Sequence, residues 1–145
     1  MKQSVIDLIP HRPPFLWVDT ILSFDENSIV TEKYIPDDLD IFTGHYPENP
    51  IMPGVLLCEI IFQSGALLMA QKGLVNEDGI RKVPVLTRIE NAKFKRTVNP
   101  GDSVTVHVTL KEILAGVCFL KGKLLTGRKT AVTVNFSCAM VAPTK

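Results

Sequence analysis

Cysteine is scarce: Cys58, Cys118 and Cys138 are the whole supply in 145 residues. None sits in a C-x-x-C pair, so the spacing suggests neither a zinc knuckle nor a disulfide framework. Free thiols fit a reducing compartment, and the expected location is the cytoplasm. An excess of one charge is missing too. Lys plus Arg number 16 and Asp plus Glu 15, a net charge of +1. A dedicated nucleic-acid binder would show a strong basic excess.

Long apolar runs are also lacking. The opening MKQSVIDLIPHRPPF holds no uninterrupted apolar run of signal-peptide length. The nearest approach to a membrane span, Val55–Ala70, falls short of the roughly 20 apolar residues that a crossing needs. It carries Glu59, Gln63 and Ser64, and a carboxylate in mid-span is expensive. The segment is therefore expected to be a helix buried inside a soluble protein. Gly-rich phosphate loops, H-E-x-x-H and G-x-S-x-G are absent.

What is present is apolar bulk. Hydrophobic residues make up 46% of the chain, which excludes intrinsic disorder. One domain over residues 1–145 would bury roughly 68–70% of its unfolded surface, enough for one core without staples. Along the chain, a short amphipathic segment (Ser4–Leu8) leads through prolines into an expected strand, Phe15–Phe24. The turn residues Asp25–Ser28 and a second strand, Ile29–Ile35, complete a hairpin. Prolines 47, 50 and 53 make Pro36–Pro53 a loop, and a long one.

Gly54 to about Lys72 is the one long helix candidate, apolar on nearly every side, with Gly73 as its C-terminal stop. Four strands are then expected: Val83–Val98, Ser103–Leu114, Val117–Thr126 and Ala131–Val141. One helix cannot cover both faces of a parallel sheet. The predicted fold is therefore α+β, a mostly antiparallel sheet wrapped around that helix.

Chemistry concentrates in Gly44–Glu59, which places an imidazole in the loop and a carboxylate in the second turn of the helix. Glu59 on an apolar helix must be paired, hydrogen-bonded or protonated. It either bonds neighbouring backbone or serves as a general acid kept protonated by burial. Gln63, four residues on and on the same face, can orient Glu59 or the substrate, or be satisfied at a subunit contact. His45 is either an ordinary loop histidine or a base held by Gly44 and the prolines after it. Gly54 either answers a steric need at the loop-to-helix turn or lets a ligand carbonyl approach a free helix-terminal amide. His11 and His107 have no such setting; His11 is expected to be structural and His107 solvent-facing. Cys58 is expected to be inert core.

At these residues the chain resembles the 3-hydroxyacyl-[acyl-carrier-protein] dehydratases of bacterial type II fatty acid synthesis. Ile9–Asp19 is similar to that family's L-P-H-R-x-P-F-L-L-V-D opening. Gly44–Gln63 is similar to its G-H-F-P-x-x-P-x-M-P-G-V-L-x-x-E-x-x-x-Q signature, and Ala92–Asp102 to its A-R-F-R-R-P-V-x-P-G-D segment. The resemblance covers nearly the whole chain. It implies the hotdog fold, a curved antiparallel sheet around one long helix, and removal of water from a (3R)-3-hydroxyacyl thioester.

By the same resemblance, His45 and Glu59 are the catalytic pair, Gly54 and Gln63 contact substrate, and no metal or redox cofactor is needed. It further implies sites shared between subunits of a homodimer, in some cases a trimer of dimers. Glu59, where a related isomerising branch carries Asp, favours the plain dehydratase. Tyr46 replaces a usual Phe, Thr20 stands where Arg commonly follows the Asp, and Arg88 where Gly usually precedes Ile89. Ile60-Ile61-Phe62 replaces a stretch usually richer in Ala and Met. A thioesterase on the same fold and a non-catalytic acyl-binding subunit are the rival classes.

The implied partner is an acidic acyl carrier protein, and at a net charge of +1 its docking needs a local patch. Lys93, Lys95 and Arg96 are the candidates, with Arg88 nearby. On one strand, Lys93 and Lys95 would face solvent while Phe94 packs inward.

Overall fold

The computed structural model describes residues 4–77 and 79–142. Among them, strands β1 (Thr20–Phe24), β2 (Ser28–Tyr34), β5 (Val83–Phe94), β6 (Ser103–Leu114), β7 (Val117–Thr126) and β8 (Lys129–Val141) form one antiparallel sheet. Its order is β1-β2-β6-β7-β8-β5. A short helix α1 (Val5–Leu8) opens the chain, and a two-stranded ribbon, β3 (Asn76–Glu77) and β4 (Ile80–Arg81), follows the long helix α2 (Gly54–Gln71). The α+β expectation is met.

The sheet curves around α2 because its helix-facing side is uniformly apolar. Val104, Val106 and Val108 of β6, Leu120 and Leu124 of β7, and Val132, Val134 and Phe136 of β8 are buried at every second position, the period of a half-buried strand. From the helix, Ile60, Ile61, Leu67 and Leu68 are fully buried against them. By length and apolarity α2 could cross a membrane, but 67% of it is buried inside the fold, as a core helix requires.

Two glycines set how closely the layers meet. A Cβ at Gly122 of β7 would overlap the Ile61 side chain, and one at Gly65 of α2 would lie 2.8 Å from the Phe136 ring. One polar link crosses the core: the Thr31 and Ser64 hydroxyls lie 2.7 Å apart, and Ser64 also donates to the Ile60 carbonyl.

α2 ends as expected. Gly73 takes a left-handed φ of 79°, with Gly73 N–H bonded to the Ala70 carbonyl and Leu74 N–H to that of Met69. This double closure satisfies two last-turn carbonyls.

The first strand is shorter than expected: Phe15–Asp19 is not in the sheet. The reason is a competing partner. Trp17 N–H donates to Gln63 Oε1 at 2.8 Å, and the Phe15 carbonyl accepts from Gln63 Nε2 at 3.0 Å. Phe15 and Trp17 are thus bound to a helix side chain, and only at Asp19, whose N–H donates to the Glu32 carbonyl, does the segment reach β2. The β1–β2 turn does form where expected. Asp25 Oδ1 accepts from Asn27 and Ser28 N–H groups, which hold its carboxyl below the usual range.

β5 also stops early, at Phe94 instead of Val98. Asn91 adopts φ 53° and the pairing slips between Glu90 and Lys93, a bulge. Beyond Phe94, Lys95 and Arg96 N–H both turn to the Ala131 carbonyl. Phe94 does not pack inward: its ring lies against Gly54 yet is 54% exposed. His107 is not fully solvent-facing. It is half-buried between Val30 and Lys123, and burial first, then the Lys123 charge, lowers its pKa.

Candidate active site

Three local structures position the expected site residues. The first is the loop before α2. A single 3-10 turn, Asp40–Thr43, lets His45 N–H donate to the Ile41 carbonyl at 3.0 Å. Tyr46 then reverses the chain at φ 53°, a conformation that costs a non-glycine residue on the order of 1–2 kcal/mol. Its carbonyl is taken by Asn49 N–H. The His45 and Tyr46 rings meet edge-on with centroids 4.7 Å apart. His45 is half-buried and its orientation is fixed by this turn.

The second is the start of α2. Pro53 precedes it without a side-chain cap, and its carbonyl accepts from Leu56 and Leu57 N–H. The first two amides, Gly54 and Val55, have no intrahelical acceptor and sit at the positive end of the helix dipole. The space left by the missing Gly54 side chain is occupied by Phe94, whose Cε1 lies 2.9 Å from where a Cβ would be. The steric reading of Gly54 therefore holds, alongside the free amide.

The third is the second turn of α2. Glu59 keeps 23% of its side chain exposed, so its burial is partial. Gln63 Nε2 donates to Glu59 Oε2 at 3.0 Å. Gln63 itself is 1% exposed, and its amide is committed to Trp17, Phe15 and Glu59. Both donors and the carbonyl are used. Gln63 thus spends both N–H groups within the chain, one of them on the Glu59 carboxyl, and it also lines the cleft beside that carboxyl.

Beside Glu59 stands His11, a residue the sequence reading set aside as structural. Its Nε2 is 3.9 Å from Glu59 Oε2, and its Nδ1 is buried without a partner. Arg12 builds this placement by donating to the Ile6, Ile9 and His11 carbonyls, which folds the opening motif back on itself. Burial lowers the His11 pKa most; the Glu59 charge raises it and Arg12 lowers it further. The signal was present in the His11-Arg12 pair of the opening motif, but nothing local ties it to a residue 48 positions away.

Glu59 and His11 line one cleft of about 150 Å³. Phe62, Gln63 and Ala66 continue it along α2, and Pro84, Leu86 and Cys138 wall it from β5 and β8. His45 is not among these residues. Among the described residues no hydrogen bond or ion pair joins it to Glu59. No group of three or more His, Cys, Asp or Glu side chains is arranged to hold a metal among the described residues. Lys93, Lys95 and Arg96 are all exposed, whereas Arg88 is paired with Glu90 at 2.9 Å. The three cysteines are buried thiols. Burial raises the pKa of each, that of Cys138 to about 12.

Known proteins share this fold. The fold superposes on the dehydratase heterocomplex ApeI:P from Xenorhabdus doucetiae with a TM-score of 0.80 at 13% identity, covering 100% of this chain and 94% of that one. By sequence, the chain is 37% identical over 139 residues to the 3-hydroxyacyl-[acyl-carrier-protein] dehydratase FabZ of Variovorax paradoxus, covering 94% of this chain and 91% of that protein. It is 46% identical over 115 residues to the Rickettsia felis protein of the same name, covering 79% and 77%. Residues 9–135 match the family model for the FabA-like domain, a stretch that takes in His11, His45, Gly54, Glu59 and Gln63, and the chain belongs to that family.

Proposed function

We infer that this protein removes water from (3R)-3-hydroxyacyl-[acyl-carrier-protein] to give the trans-2-enoyl thioester, for fatty acid or related lipid synthesis. It is an enzyme of the dehydratase kind its relatives are named for. The observation that carries the residue assignment is the Glu59 carboxyl, held through one oxygen by the buried Gln63 amide in a residue that lines a cleft.

His45 takes the proton from C2, since an imidazole can accept a proton at neutral pH. Charge developing on the thioester oxygen is stabilised by the Gly54 amide at the helix end. Glu59 gives its proton to the C3 hydroxyl, which leaves as water, and the double bond forms between C2 and C3. Each proton transfer of this type contributes on the order of 10²–10⁴-fold.

The active form is a homodimer whose sites each take His45 from one subunit and Glu59 from the other; three such dimers can associate further. Support comes from the lining of the Glu59 cleft, which does not include His45. It also comes from the edge strand β5, which leaves Val85, Ile89 and Phe94 exposed beside an exposed Val55 on α2. Lys93, Lys95 and Arg96 receive the acidic carrier protein. Buried free thiols support a cytoplasmic setting.

The test is to follow a 3-hydroxyacyl carrier thioester by enoyl absorbance and by free-thiol release in parallel. Enoyl formation without thiol release is expected. Thiol release alone would establish the thioesterase instead, and neither signal would point to a non-catalytic binding subunit.

A further inference from the structure

We propose that Phe62 sets the acyl-chain limit of this enzyme, narrowing the apolar arm of the Glu59 cleft so that short-chain substrates are preferred. This rests on the dehydratase reading. Glu59, Phe62, Gln63 and Ala66 fall at i, i+3, i+4 and i+7 on α2, so the cleft runs along one helix stripe for ~10 Å. The hydroxyl-bearing carbon must sit at Glu59. The thioester end leads out toward the helix start, and the alkyl tail takes the apolar direction, past Phe62 between α2, Leu86 and Cys138.

Two observations make Phe62 a wall in that path. The cleft is about 150 Å³, half the lower end of the ~300–1,000 Å³ usual for ligand pockets. The Phe62 ring is also braced. It packs on Phe136 with centroids 4.9 Å apart, and Phe136 is itself seated on the bare Cα of Gly65, where a Cβ would come within 2.8 Å of it. Phe136 is 3% exposed and has nowhere to retreat. A longer tail therefore meets a ring that is backed on one side by the close-packed core.

The experiment measures kcat/KM on 3-hydroxyacyl carrier thioesters of about four, eight and twelve carbons, a series in which each misfitted methylene costs on the order of tenfold or more. Wild type should fall steeply with length. Phe62→Ala should flatten or reverse that slope, and Phe62→Leu should lie between. Phe62→Leu also keeps most of the buried volume, so the comparison survives if the alanine variant does not fold. Length profiles that stay parallel in wild type and Phe62→Leu would overturn the assignment while leaving the dehydratase standing. A wild type that prefers the longest chain would do the same. A wild type inactive at every length would overturn both.

Discussion

Gln63 Nε2 lies 3.0 Å from Glu59 Oε2, and the same amide holds the backbone of Phe15 and Trp17. The proton donor and the chain's opening segment thus share one buried clamp. Removing it should affect both. Gln63→Leu is expected to cost about 1–3 kcal/mol of stability, because a buried N–H and C=O lose their partner. In the folded variant, kcat should fall on the order of 100-fold with KM little changed, the signature of a misplaced catalytic group and not of weaker binding. Thermal unfolding and steady-state kinetics on the same preparation check this. A KM rise at constant kcat would return Gln63 to substrate binding.

In the proposed dimer, histidine and carboxylate of each site come from two chains. His45→Ala and Glu59→Gln should each lower turnover by about 10²–10⁴-fold while leaving the fold intact. Mixing the two under conditions of subunit exchange should restore about a quarter of wild-type activity. Half of randomly paired dimers are hybrids, and each hybrid carries one complete site of two. Exchange is followed independently by mass-tagged subunits. Demonstrated exchange with no rescue would place both residues of each site in one chain.

How much of this was legible before the structure depends on the range of the interaction. β6 and β7 end where alternation and the Asn99–Asp102 turn place them, because period and turn chemistry are local. So is α2, an apolar run stopped by Gly73. The opening motif was visible as letters but not as geometry. Its extended Phe15–Asp19 stretch has the look of a strand, but a glutamine 46 to 48 positions away in sequence takes the Trp17 N–H and the Phe15 carbonyl. The Asn91 bulge was equally hidden, since the residue that forces a slip in pairing carries no composition of its own. His11 shows the same limit from the side of the site. A histidine is read as functional from its neighbours, and its decisive neighbour is on another element.

Acid should expose that histidine. Burial holds the His11 pKa below its ordinary 6.5, with Arg12 adding to the effect and Glu59 opposing it. The unfolded chain therefore binds this proton more readily than the folded one. Above about pH 6.5 the group costs nothing. As pH falls below that value, stability is lost, until the folded-state pKa is passed. His11→Asn removes the penalty. The melting temperature of the variant relative to wild type should rise steadily between about pH 7 and pH 5. A difference independent of pH would mean that His11 titrates alike in both states.

The carrier patch makes a prediction that salt can read. Lys93, Lys95 and Arg96 are exposed beside the bulge. Changing Lys93 and Lys95 to Glu should raise KM for carrier-bound substrate on the order of tenfold at low ionic strength, and less as salt screens the field. A small thioester without the carrier should be turned over as before. Equal losses on both substrates would show that these lysines support the site and not the partner.

The missing side chain at Gly122 reaches further than its chemistry suggests. Ile61 occupies the dent it leaves in the middle of the sheet. Ile61 stands two residues after Glu59 on a helix whose turns are rigid. The depth and rotation at which the Glu59 carboxyl enters its cleft are therefore indexed by a notch in β7, a strand with no residue among the described cleft lining. A residue with no functional group acts here as the datum from which that carboxyl is placed.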